Sequence, residues 1–183
     1  MNFYRKIEVA NLAKLQQELL LLVPSELLEN PRVHFPKEQD GFFKIKELCD
    51  LLDHLGMSYN NTAFGYFVCA PKKSVPMHID YGDTEYSLNI PLQHCDNTFT
   101  HFYKTDREPV LIPSRIHQGV AYHPHYSFVN VKAEIVESFE SNIPCVMHIK
   151  TPHSVTNDTD NIRISTLIRH SNNDHMRSIF SAL

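Results

Sequence analysis

Apolar positions in the first quarter of the chain follow a helical repeat. Val9, Leu12, Leu15, Leu19, Leu20 and Val23 recur at spacings close to 3.6 residues, which predicts one amphipathic helix over 9–23. Pro24 ends it, because proline disfavours helical geometry in the residue before it. A second helix is predicted over 44–55, with Ile45, Leu48, Leu51, Leu52 and Leu55 on one side and Gly56 placed to close its C-terminus. Beyond Gly56 the texture changes to short segments rich in aromatic and β-branched residues: 63–70, 86–92, 98–104, 128–136, 145–150 and 163–170. The clusters APKKSVP, YGDT, HCDN and TNDTDN read as the turns between them. Two helices followed by six or more short strands predict an α+β fold, mainly β, built on an antiparallel sandwich or barrel. No repeat or linker divides the chain. Residues 1–60 read as helical support and 61–172 as the β core of a single domain.

Composition narrows the function classes. A chain of 183 residues with 42% hydrophobic and 21% charged positions can bury a real core. The formal net charge of −4 argues against nucleic acid as a partner, since phosphate binding needs a basic excess. The longest aliphatic run, Leu19–Val23, falls far short of the roughly 20 apolar residues that span a bilayer, so no membrane partner is expected. The start, MNFYRKIEV, lacks the apolar stretch of a secretory signal. Cys49, Cys69, Cys95 and Cys145 form no CxxC pair and read as free thiols of a cytoplasmic protein. Five Gly against twelve His is the unusual ratio, and it points to metal chemistry.

The sharpest local pattern is Val75-Pro-Met-His78-Ile-Asp80-Tyr81. On a strand, residues i and i+2 project from one face, so His78 and Asp80 can offer an imidazole nitrogen and a carboxylate oxygen to one ion. Two His and one carboxylate occupy one face of an octahedron and leave three positions open. His94-Cys95-Asp96 has the same spacing but reads as a polar turn with a local Asx bond. His123 and His125 flank a proline and read as solvated surface. His101 and His148 have no partner at ligand spacing and read as core or sheet-surface histidines.

A third ligand has to come from a distant strand. His153 is the candidate, at the end of the apolar stretch CVMHIK-TP, with Arg163 opening the next strand and Ser165 two positions on. Arg163 and Ser165 share a face, where a guanidinium fork and a hydroxyl can hold a carboxylate.

The set HID…H…RIS resembles the signature of the 2-oxoglutarate- and Fe(II)-dependent oxygenases over about residues 63–170. The segment SLNIPLQHCDNTFTHFYK is also similar to a strand pair of the aspartyl/asparaginyl β-hydroxylase-like branch, although some members of that branch carry Gly where this chain has Asp80. The resemblance implies a double-stranded β-helix (jelly-roll, cupin-like) barrel with N-terminal packing helices. It implies Fe(II) held by His78, Asp80 and His153, with 2-oxoglutarate and O2 as cosubstrates. Arg163 would clamp the distal carboxylate of 2-oxoglutarate with help from Ser165, and Asn89 would bond its other carboxylate. Tyr66, Tyr81, Arg115 and His117 are substrate-side candidates. The implied reaction oxidises, by hydroxylation, a C–H bond of a small molecule such as an amino acid or of a peptide side chain, releasing succinate and CO2. Alternatives are a cupin-type metal isomerase or dioxygenase without 2-oxoglutarate, which would not need Arg163 and Ser165 facing the metal, and a non-catalytic ligand-binding barrel. The residue types also allow a zinc hydrolase, though nothing else in the sequence asks for one. Oligomeric state is left open.

Overall fold

A computed structural model describes residues 3–113, 115–117, 120–122, 124–128 and 130–183. The chain opens with strand Tyr4–Lys6 (β1), helices Leu12–Leu21 (α1) and Glu26–Glu29 (α2), strand Val33–His34 (β2) and helix Lys46–His54 (α3). Strands Thr62–Cys69 (β3), Lys73–Asp80 (β4), Tyr86–Asn89 (β5), Pro91–Gln93 (β6) and Thr98–Thr105 (β7) follow. Four short ones come next: Val110–Ile112 (β8), Arg115–His117 (β9), Val120–Tyr122 (β10) and His125–Ser127 (β11). The chain continues through Ala133–Glu140 (β12), Cys145–His148 (β13), His153–Asn157 (β14) and Arg163–His170 (β15), then helix Asn173–Ala182 (α4).

Strands β1-β13-β5-β15-β3-β2 form one antiparallel sheet, with β6 also pairing β15, and β12-β7-β14-β4-β11-β8 form the second. The pair β9-β10 stands apart as a hairpin. Alternation along the strands decides what each sheet face meets. Phe64, Tyr66 and Val68 of β3, Leu88 of β5 and Ile164 and Ile168 of β15 pack against Leu15 and Leu19 of α1, Leu48 and Leu52 of α3 and Met176 of α4. The alternate residues face the second sheet: Phe67 and Cys69 of β3 cluster with Val155 of β14. The helices thus cover one face of the first sheet, and the other face closes onto the second.

The predicted elements are present with shifted bounds. Gly56 sits at φ 64°, the left-handed value that favours glycine after a helix. The expected turn APKKSVP is confined to its start: Lys72 takes φ 54°, and β4 begins at Lys73. The strand expected over 128–136 lies instead at Ala133–Glu140. Asn130 at φ 53° interrupts extended backbone, and pairing with β7 fixes the later register. Segment 86–92 splits at Ile90, whose amide donates to the side-chain hydroxyl of Thr166 on β15 rather than to a backbone carbonyl of that strand. His153 does not end the 145–150 strand but opens β14, which belongs to the opposite sheet from β15. α4 was not predicted. Its few apolar positions include Met176, Ile179 and Phe180, and all three pack against the helix-side core.

All four cysteines are free thiols. No helix is long and apolar enough to cross a membrane among the described residues.

Candidate active site

Antiparallel register brings the three candidate ligands together. His78 and Asp80 lie two apart on β4, and β14 pairs with β4 so that His153 stands directly opposite His78. Their rings are 4.4 Å apart between centroids. One ligand atom from each of His78, Asp80 and His153 lies within 4.8 Å of the others, near enough to share one metal ion. The cluster is sheltered: the side chains of His78 and Asp80 are 14% and 19% exposed, and His153 is 4% exposed.

Backbone carbonyls orient both imidazoles. Nδ1 of His78 lies 2.8 Å from the carbonyl of Pro76, and Nδ1 of His153 lies 2.9 Å from that of Thr151. A carbonyl can only accept, so each Nδ1 carries the proton. In the neutral ring Nε2 is then left with its lone pair. This is the second-shell arrangement that fixes the tautomer of a metal-ligating histidine. Two neutral nitrogens and one carboxylate oxygen suit a divalent first-row ion such as Fe(II), with positions left for other ligands.

The electrostatics point the same way. Burial holds the His153 imidazole down to about 4, with His78 acting in the same direction and Asp80 against it. Burial pushes the Asp80 carboxyl up. The adjacent His78 ring and the positive charge of Arg169 outweigh it, and Asp80 lies well below the usual carboxylate range. At neutral pH the pocket therefore presents a neutral His153 and a charged Asp80, the forms a metal takes.

A pH dependence follows for the metal-free protein. Between about 6.5 and about 4 the unfolded chain binds a proton on His153 that the folded chain does not. Stability contributed by this ring is therefore lost as pH falls through that window, by about 3 kcal/mol over its full width. Urea midpoints measured from pH 7 to 4.5 should drop less steeply in His153→Gln than in the wild type. Equal slopes would place that proton elsewhere.

Arg169 was missed by the sequence reading. Its Nη2 donates to Oδ2 of Asp80 at 2.7 Å, and its guanidinium lies 5.0 Å over the ring of Phe35. The signal was present: Arg163, Ser165, Leu167 and Arg169 alternate along one strand and share a face. Lys150 adds a second cation, donating through Nζ to the backbone carbonyl of Asp80 at 2.7 Å.

Arg163 is 4% exposed and lies 5.0 Å over the ring of Phe67. Its Nε and Nη1 have no hydrogen-bond partner among the described residues. A buried guanidinium with N–H groups left unsatisfied is costly, and such a group calls for an anion. It lines a narrow cleft between the sheets, of about 10 Å³, shared with Asn89, Thr100, Ser141 and Cys145. Phe67 stands opposite Ser165 in the β3–β15 register, so the guanidinium leans along β15 toward Arg169. Ser165 is buried at 2% exposure on the same face. Asn89 lines the cavity but is engaged, accepting from Ser87 Oγ at 2.7 Å and donating to Met147 Sδ at 2.8 Å.

The substrate-side candidates fare differently. Tyr66 does not reach the cluster. It lies at 0% exposure on the helix-facing side of β3, with its hydroxyl donating to the carbonyl of Leu19 at 3.1 Å. Strand alternation, invisible without knowing which face meets the helices, directs it away. Tyr66→Phe should cost about 1 kcal/mol of stability, the worth of one buried hydrogen bond, and leave metal affinity unchanged. A denaturation curve and a metal titration check both halves. Tyr81 is exposed with its ring 6.0 Å from Tyr126, and Tyr126 pairs with Ile79 on the face away from His78. The side chains of Arg115 and His117 lie outside the described residues, as does His123.

His125 is a correction in the other direction. It is not solvated surface but half-buried, standing opposite Asp80 with its ring edge-on to His78 at 6.2 Å. His94 and Asp96 occupy a turn, where His94 takes φ 51° and Asp96 accepts from Asn142. His101 bonds Ser138 on the sheet surface, and His148 bonds Thr151.

No protein-family model matches this chain, and no curated protein matches it. Among solved structures it is similar to a prolyl-4-hydroxylase from Pseudomonas putida, with a TM-score of 0.51 at 14% identity over 93% of this chain and 88% of that one. This chain has the double-stranded β-helix fold. AviO1 from Streptomyces viridochromogenes gives a TM-score of 0.47 at 13% identity, over 93% of this chain and 90% of that one. An oxidoreductase of the 2OG-Fe(II) oxygenase family from Burkholderia pseudomallei gives 0.32 at 13% identity, over 92% and 96%. At these identities the likeness is one of fold.

Proposed function

We propose that this chain is an Fe(II)- and 2-oxoglutarate-dependent dioxygenase that hydroxylates a C–H bond of a small molecule such as an amino acid, or of a peptide side chain, with release of succinate and CO2. One observation carries the reading. The inner faces of the two sheets carry both a two-histidine, one-carboxylate cluster and a buried guanidinium, two of whose nitrogens lack a hydrogen-bond partner among the described residues. A plain metal barrel has no use for Arg163 in that state. A five-carbon dianion supplies what each end lacks: a chelating oxo acid for the metal and a carboxylate for the guanidinium. The finer likeness to the aspartyl/asparaginyl β-hydroxylase-like branch, carried by 87–104, belongs to this proposal as well.

Fe(II) bound at the cluster would supply open coordination positions and the redox chemistry that activates O2. The chain's own residues do the rest. His78 and His153 present Nε2, each held by a backbone carbonyl behind it. Asp80 supplies the negative charge, with one oxygen already engaged by Arg169. Arg163, with Ser165 beside it, receives the distal carboxylate. Phe67, Phe102 and Val155 on the inner faces keep water from the space between.

The test is anaerobic addition of Fe(II) and 2-oxoglutarate to metal-free protein. A weak visible charge-transfer band that requires both, and that is lost in Arg163→Met, supports the reading. Iron binding without the band would transfer support to a cupin-type activity and return Arg163 to a structural role.

A further inference from the structure

The segment after α2 adds the edge strand β2 to the first sheet and brings Phe35 against Arg169. β2 pairs with β3 through Val33 opposite Phe67 and His34 opposite Tyr66, which brings Phe35 to the level of Gly65. A Cβ on Gly65 would lie 2.8 Å from two carbons of the Phe35 ring and 2.9 Å from the carbonyl of His34. Any side chain there would displace the ring. Gly65 is not at a positive φ, so its glycine answers a need for space rather than for backbone freedom.

The ring seated on Gly65 carries the Arg169 guanidinium at 5.0 Å. That guanidinium donates to Oδ2 of Asp80 at 2.7 Å, and its buried Nε has no hydrogen-bond partner among the described residues. Two contacts therefore fix it: the aromatic face on one side and the carboxylate at the tip. The other carboxylate oxygen, Oδ1, is the one directed toward Nε2 of His78, 3.4 Å away.

We propose that Phe35, seated on Gly65, is a positioning residue for the metal centre: it holds Arg169 so that Asp80 keeps Oδ2 occupied and offers Oδ1 alone to the ion. The inference rests on the reading of His78, Asp80 and His153 as ligands. It gives the segment between α2 and α3 a part in the chemistry, since a residue next to the edge strand β2 sets the coordination mode of a ligand on β4. A planar guanidinium on an aromatic face is held in both position and tilt, whereas an aliphatic neighbour constrains position only.

Co(II) titration of the metal-free protein tests this, read by its d–d absorption alongside a thermal melt of each variant. Phe35→Ala and Phe35→Leu should weaken Co(II) binding by about tenfold or more, the usual effect of losing an outer partner of a ligand. Both should also change the position and intensity of the absorption, as Asp80 becomes free to offer two oxygens. Phe35→Tyr keeps the ring face and should restore affinity and spectrum. Gly65→Ala, which pushes the ring, should reproduce the spectral change of the alanine variant. If Phe35→Leu binds Co(II) with the wild-type affinity and spectrum, the ring is packing and the inference is overturned. Should Phe35→Ala not fold, the contrast between the leucine and tyrosine variants decides alone. A wild-type protein that takes up no Co(II) would sink the ligand reading, and this inference with it.

Discussion

His153→Ala is expected to remove tight Fe(II) binding while leaving the barrel folded. Losing one of three protein ligands should lower metal affinity by at least about 10³-fold, well beyond the 10–100-fold that outer partners carry. The fold should survive because His153 sits neutral in its site, its hydrogen bond among the described residues being to the carbonyl of Thr151, so its removal leaves a small cavity and no stranded charge. Asp80→Ala is a poorer test. It would leave the half-buried Arg169 without its carboxylate, a loss of about 1–3 kcal/mol that would confuse metal binding with unfolding. Fe(II) stoichiometry by colorimetric assay after anaerobic dialysis, with a melting curve for each variant, separates the two effects. Retention of one tightly held iron in His153→Ala would remove that residue from the ligand set.

Arg163→Met should change two quantities in opposite directions. Among the described residues, Nε and Nη1 of the buried guanidinium have no partner and the face of Phe67 is what offsets its desolvation, so replacing it with an apolar side chain of similar length should stabilise the metal-free protein by about 1–4 kcal/mol. The same substitution should weaken 2-oxoglutarate binding by about 10²-fold or more, since a bidentate charged hydrogen bond is lost. Metal affinity should not move. Calorimetric titration of 2-oxoglutarate into the Mn(II)-loaded protein, with denaturation of the metal-free form, reads both. Lower stability with undiminished 2-oxoglutarate binding would make Arg163 a structural cation. The opposite pair of results would mark it as a residue kept at the expense of stability, as expected where a site must be ready for an anion.

What was legible in the sequence was what strand alternation and helical periodicity impose locally. His78 with Asp80 and Arg163 with Ser165 could be paired because a period of two holds on any strand, whatever its partner. Helices over Leu12–Leu21 and Lys46–His54 were legible because a leucine face repeats at helical spacing. Its position after an apolar stretch and ahead of Arg163 made His153 the candidate among twelve histidines, but its place at the head of β14 in the opposite sheet was not readable from CVMHIK-TP.

Tertiary structure alone decided the matters that depend on register and face. Tyr66 and Phe67 are adjacent in sequence, yet one enters the helix-side core and the other lies beneath Arg163. His125 looked like loop surface until β11 paired with β4 and set it opposite Asp80. Arg169 and Phe35 lie 134 residues apart and meet through packing across the first sheet, with Gly65 leaving the room. Sequence determines which side chains share a face, because backbone geometry is local. The fold determines which faces meet, because the hydrophobic burial that joins two sheets is summed over the whole chain, and only then does a carboxylate find its arginine.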